Sequence, residues 1–154
     1  MNRFRTFLNR TARAGLAALV VLSALLTATT PAHAAGLVVN TLEDELNTDG
    51  DCSLREAVQA AKTDLAVDAC QAGSGADIIT FSVGGTVILS SSIVIESEMT
   101  IDGSGQSLTI SGNDAVQIFQ VYGTLSLNLL TITDGYWPGS GGAIANHTAL
   151  TINN

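Results

Sequence analysis

The chain has 154 residues, 46% of them hydrophobic and 13% charged, with a formal net charge of −8. That length leaves room for one domain. Arg3, Arg5, Arg10 and Arg13 crowd the start and all fourteen acids lie after residue 42, so the remainder keeps only Arg55 and Lys62, a net charge near −12, which repels phosphate backbones and anionic lipids and excludes nucleic acid as a partner.

The first segment reads as a secretory signal rather than as fold. Its four arginines precede an apolar run over 15–28, and Ala32-His33-Ala34 fits a small-x-small cleavage site. A signal peptide over 1–34, cut after Ala34, is the expectation. The apolar run is short for a bilayer span and Pro31 follows it, so no membrane span is expected after signal removal. The predicted location is secreted or cell-surface.

Residues 35–76 read as an N-terminal cap. "LVVNT" over 37–41 is a predicted strand, followed by the acidic stretch "LEDELNTDGD". Ser53-Leu54-Arg55-Glu56 has the pattern of a capping box, in which Ser53 accepts from the N–H of Glu56 and the Glu56 carboxylate reaches back to Ser53. Leu54, Ala57, Val58, Ala61 and Leu65 recur at helical spacing, which predicts one amphipathic helix over 54–66. Its apolar face is expected to cover the first coil of the domain that follows. "ACQAGSGAD" then ends the helix with small, turn-forming residues. In an exported chain Cys52 and Cys70 are expected to form a disulfide, worth roughly 3 kcal/mol in the chain-entropy model for a loop of this size. Arg55 is expected to pair with a neighbouring acid or to cover a strand end.

Two readings compete for the loop before the helix. Glu45, Asn47, Asp49, Asp51, Ser53 and Glu56 present oxygens at the spacing of a helix-flanked calcium loop, with Gly50 at its sixth position. Against that reading, Glu45 stands where Asp is usual, Cys52 stands where an aliphatic residue is usual, and no helix precedes the loop. In the simpler reading the stretch is a capped turn: Asp49-Gly50 bends, Ser53 caps, and Asp51 with Glu56 complements the helix dipole. Both readings claim Glu56.

From Asp77 the texture changes to short β-branched runs separated by Gly, Ser, Asn and Asp: "DIITF", "TVIL", "IVIESEMTIDG", "SLTISG", "VQIFQVYGTLSLNLLTITDG" and "ALTINN". Thr-Ile pairs recur at Thr100-Ile101, Thr109-Ile110, Thr131-Ile132 and Thr151-Ile152, with the last three spaced in the window of a solenoid repeat. The predicted fold is all-β: a parallel β-helix with one N-terminal capping α-helix, its coils filling 77–154. The pattern stops at "LTINN" without a closing cap, so an incomplete chain of about three to four coils is expected.

"DGDCSLREAVQAA" over 49–61, "ADIITF" over 76–81, the Thr-Ile repeats and "GGAIAN" over 141–146 together resemble secreted bacterial surface proteins. These carry a CSLREA-type N-terminal segment ahead of a right-handed parallel β-helix of pectin-lyase-like fold, some with polymorphic outer-membrane-type repeats. The resemblance implies architecture and export but little chemistry. Such proteins are usually several hundred residues long.

Candidate catalytic residues are scarce. Uronate lyase chemistry uses an Arg or Lys base in that family, and none stands after Lys62. Glycoside hydrolysis needs two carboxyl groups facing one cleft. Asp102, Asp114 and Asp134 instead sit in Gly- or Asn-flanked turn contexts, and His147 stands alone. No catalytic site is expected. Tyr136 and Trp137 interrupt the repeat and offer flat faces for stacking on sugar rings. The expected role is structural or adhesive, with surface glycans or other proteins as partners and calcium the one cofactor considered. The alternative is the N-terminal part of a polysaccharide-acting β-helix enzyme, lyase or hydrolase, with its active site on later coils.

Overall fold

The computed structural model describes residues 34–154 apart from Ser140, so the signal-peptide reading of 1–34 lies outside the described residues except at Ala34. Among the described residues there are eleven strands and one helix: β1 (Gly36–Val39), α1 (Leu54–Thr63), β2 (Asp77–Phe81), β3 (Gly85–Ile88), β4 (Ile93–Ile95), β5 (Glu98–Asp102), β6 (Leu108–Ser111), β7 (Phe119–Val121), β8 (Thr124–Asn128), β9 (Thr131–Thr133), β10 (Ile144–Asn146) and β11 (Ala149–Asn153). Every strand pair is parallel. The strands form three sheets, ordered β1-β2-β5-β8-β11, β3-β6-β9 and β4-β7-β10. Three successive strands make one coil, each lying on its counterpart in the coil before. The fold is a parallel β-solenoid of about three turns with one helix near its N-terminal end.

The register explains the sequence texture. Leu37, Ile79, Ile101, Leu127 and Ile152 are successive partners in the long sheet and form one inward column. Phe119 stacks between Ile93 and Ile144 on a second wall, and Ile110 between Val87 and Ile132 on the third. Their alternate neighbours point outward with period two; most of these are polar, but Val38, Ile78, Ile88 and Val94 on β1 to β4 are exposed apolar residues. The Thr-Ile pairs need reassignment. Thr109-Ile110 and Thr131-Ile132 are true register partners on one wall, whereas Thr100-Ile101 and Thr151-Ile152 lie on the long sheet. The step from Thr131 to Thr151 therefore crosses from wall to wall and is no coil repeat.

Turns between walls use the left-handed backbone region. Asn113, Asp114, Leu129 and Asp134 all have φ near +50°, and the Asn and Asp side chains tolerate it best. Asp102 ends β5, and its carboxylate accepts from the N–H of Ser104 at 2.9 Å. Gly123 is required by close approach: a Cβ there would stand 2.3 Å from the Ser97 carbonyl oxygen of the preceding coil.

The helix is shorter than its periodicity suggested. It runs from Leu54 to Thr63 and stops because Asp64 turns left-handed at φ 53°. Leu65 therefore falls outside it and is 66% exposed, correcting its place on the apolar face. Leu54, Ala57, Val58, Ala60 and Ala61 are buried, and the helix packs against β1, β2 and β4. Small residues at 57, 60 and 61 let it lie close over the first coil.

One column carries its own control. Ile101 is fully buried with a rung on either side, whereas Ile152 is 61% exposed at the last described rung. Ile101→Ala is expected to cost about 2–5 kcal/mol and Ile152→Ala less than about 0.5 kcal/mol, read from urea unfolding of the two variants.

Candidate functional site

The described residues with the densest polar chemistry lie at the N-terminal cap, where the loop over 41–52 meets the start of α1. Ser53 caps the helix in extended conformation, φ −78° and ψ 165°. Its Oγ accepts from the N–H of Glu56 at 3.2 Å and donates to the Glu45 carbonyl at 2.8 Å. Glu56 is fully buried, yet both carboxylate oxygens are satisfied: Oε2 accepts from the N–H of Ser53 at 2.9 Å and Oε1 from the N–H of Asn47 at 3.0 Å. Two backbone donors, one at the N-cap and one in the loop before it, thus satisfy this buried acid.

Cys52 and Cys70 are joined, with their Cα atoms 4.9 Å apart. The bond links the residue before the cap to the segment after the helix. The end of β1 holds the same point: the Asn40 side-chain oxygen accepts from the N–H of Cys52 at 2.7 Å, and the N–H of Asn40 donates to the Cys52 carbonyl at 3.0 Å. Asp68, left-handed at φ 44°, accepts from the N–H groups of Gly50 at 2.7 Å and Asp49 at 3.1 Å. Those bonds, Gly50 foremost, hold its carboxyl below the ordinary value.

Arg55 does both things expected of it. It meets Asp44 in a bidentate pair, Nε to Oδ1 at 2.8 Å and Nη2 to Oδ2 at 3.0 Å. It also donates to the Ser91 carbonyl at 2.7 Å and the Ser92 carbonyl at 3.4 Å, covering the turn before β4. The Asp44 oxygen Oδ2 accepts further from Ser90 N–H and Oγ. Burial acts to raise the Asp44 carboxyl, but the bonds from Arg55 and Ser90 outweigh it and leave it below the ordinary value. One guanidinium therefore ties the acidic loop, the helix and the first coil together. Lys62 pairs with Glu96 on the same side of the helix.

The six residues of the calcium reading divide. Ser53 and Glu56 are committed to the cap, and the Asn47 amide nitrogen donates to Glu45 at 2.7 Å and Asp49 at 3.1 Å. In this arrangement Ser53 and Glu56 serve the cap, as the capped-turn reading expects. Two overlapping groups of carboxylates do converge, Glu45 with Asp49 and Asp51, and Asp51 with Glu56 and Asp68, each with oxygens within 4.8 Å of one another. Desolvation, followed by repulsion from Asp49 and Glu56, raises the Asp51 carboxyl; desolvation, followed by repulsion from Asp49, Asp51 and Glu56, raises that of Glu45.

Tyr136 and Trp137 lie far along the chain in the β9–β10 connection, each 52% exposed. The Tyr136 N–H donates to the Val116 carbonyl at 2.9 Å, which holds the loop against the preceding coil. A second aromatic feature escaped the sequence reading. Tyr122 and His147 stack with ring centroids 4.6 Å apart and planes 7° from parallel. They follow β7 and β10, adjacent rungs of one wall, and the equivalent position in the repeat was the signal for them.

Among the described residues no helix is long and apolar enough to cross a membrane. Comparison with known proteins adds no relative: no family model matches the chain, and no curated protein or solved structure is significantly similar to it. The class defined by the fold is thus the parallel β-solenoid, with a disulfide-clamped helical cap.

Three measurements test the cap. Replacing both Cys52 and Cys70 with Ser is expected to cost roughly 3 kcal/mol. Arg55→Ala is expected to cost about 2–3 kcal/mol near neutral pH, because it strips a charged partner from Asp44. Since the folded-state value of Asp44 is depressed, this contribution is full above about pH 4 and is lost as pH falls through the lowered value; melting curves of wild type and Arg55→Ala should converge in acid. For the carboxylates around Asp51, millimolar calcium is the probe. A cation held there raises the wild-type melting temperature but not that of Asp51→Asn, and unchanged wild-type curves leave the loop a capped turn.

Proposed function

We propose that this chain is an exported β-solenoid of the cell surface or the extracellular space, with a structural and adhesive role. The observation that carries the reading is the pairing of a disulfide-clamped cap with ordered outer columns of hydroxyl, amide and carboxylate side chains. Thr86, Thr109 and Thr131 are register partners on one wall. On the long sheet Thr100, Ser126 and Thr151 form one column and Thr80, Asp102, Asn128 and Asn153 another. None of these residues is buried. Rungs repeat about every 4.8 Å, so each column is a row of donors and acceptors at fixed spacing. Such a row suits an extended polar polymer, which gains a bond per rung without ordering the protein further.

The exposed Tyr136 and Trp137 and the stacked Tyr122–His147 pair add flat apolar faces of the kind sugar rings pack on. Export is supported by the disulfide, which persists in oxidising compartments, and by the signal-like residues before Ala35. The string over 52–57 supports placing the chain beside the CSLREA-type, pectin-lyase-like surface proteins it resembles.

Binding of the processed protein to a panel of cell-wall and host polysaccharides tests the adhesive role. Wild type is expected to bind at least one, and Tyr136→Ala with Trp137→Ala to weaken it about tenfold. Failure of wild type to bind any of them removes adhesion and leaves a scaffold.

A further inference from the structure

Down the inner face of the long sheet every described side chain is apolar except one. Asp77 starts a column that continues as Met99, Leu125 and Leu150, and it is 1% exposed. Its Oδ1 accepts from the N–H of Ala35 at 3.1 Å and of Ser74 at 2.8 Å. Its Oδ2 is buried with no hydrogen-bond partner. Backbone walls the site: a Cβ on Gly73 would stand 2.7 Å from Oδ2 and 2.7 Å from the Ala61 Cα. Among the described residues the side-chain cations are Arg55 and Lys62, and these are engaged by Asp44 and Glu96. A carboxylate this deep without a cation is costly, and half of its acceptor capacity stands unused.

The missing charge lies in the chemistry of Ala35. It is the residue immediately after Ala32-His33-Ala34, and Ala34 is exposed. We propose that cleavage between Ala34 and Ala35 creates an α-ammonium that pairs with the buried Asp77 carboxylate and locks the first rung. Hydrolysis breaks the Ala34–Ala35 amide bond and consumes one water. The hydroxyl stays on the Ala34 carbonyl carbon, which leaves as a carboxylate, and the Ala35 nitrogen becomes an amine that is protonated near neutral pH. An amide nitrogen has one hydrogen, already spent on Oδ1. An ammonium has three and a full charge, which leaves hydrogens for the second oxygen of the same carboxylate. The nitrogen does not depend on the upstream chain for its place, because the Ala35 carbonyl accepts from the N–H of Ile78 at 2.9 Å and the next residue, Gly36, is paired with Ile78 in the sheet. Removal of the signal thereby becomes a stabilising step for the cap.

This inference rests on the export reading, and the two fail differently. Mass spectrometry of the exported protein is expected to find Ala35 as its first residue. A different start overturns the inference and leaves export standing; retention of the unprocessed chain inside the cell overturns export. The ion pair is tested apart from export with two chains released in vitro, one beginning at Ala35 and one keeping Ala34. The Ala35 chain is expected to melt about 5 °C higher or more, and Asp77→Asn to abolish the difference. Equal melting temperatures overturn the proposal. Should Asp77→Asn not fold, labelling of the wild-type α-amine with an acylating reagent decides: at least tenfold slower reaction in the folded than in the unfolded chain is expected, and equal rates overturn it.

Discussion

Everything in this molecule depends on parallel backbone pairing between one coil and the next. A single coil has an inner face too small to bury itself and polar groups along both edges. Laying a second coil on it in register satisfies those groups and places apolar side chains over apolar side chains. The column from Leu37 through Ile79, Ile101 and Leu127 is the outcome, buried at every step. A slip of one residue would turn each of these outward. Register is thus enforced by three walls at once, since β2, β3 and β4 are joined by short turns and move together.

The cap follows from the same constraint. A stack of coils has ends, and an uncovered end presents both edge groups and core to water. At the N-terminal side β1 supplies one more rung, and α1 lies across the first coil with its alanines down. That placement is fastened three ways: by the disulfide, by Asn40 gripping the backbone of Cys52, and by Arg55 joining Asp44 to the turn at Ser91 and Ser92. The acidic loop is the by-product. Carboxylates needed to cap the helix and hold Arg55 stand close to others that bend the chain, and desolvation, followed by their mutual repulsion, raises the Glu45 and Asp51 carboxyls.

Architecture was legible in the sequence because it is written in local pattern. Alternation with period two, turn residues between runs and a capping box each have a short-range cause. Helix length was less legible, since Leu65 continues the apolar spacing but Asp64 bends away before it. The coil repeat was blurred for a related reason. Thr-Ile suits any outward-inward step, so the pair marks a strand without saying which wall the strand belongs to. Long-range partners were the least legible. Nothing near Asp77 announces that its oxygen meets a nitrogen forty-two residues earlier, nor does Asp68 signal its hold on Gly50. Both become visible only once the register is known, when an acid turns up in a column of hydrocarbons. On the candidate site, Ser53, Glu56, Cys52, Cys70, Arg55 and the neighbouring carboxylates Glu45, Asp49 and Asp51 could be named from the sequence, while Asp68, which closes on Asp51 and Glu56, could not.

Strand pairing in this molecule is also strictly sequential, from β1 to β2 and then rung by rung to β11. A polypeptide always emerges amino-terminus first, so the residues of the cap and its attached rung are made before those of any later coil. Each newly delivered segment then meets a ready edge in a single permitted direction. Growth by templated addition, like a crystal advancing from a seed, follows from that order and spares the chain a search among alternative pairings.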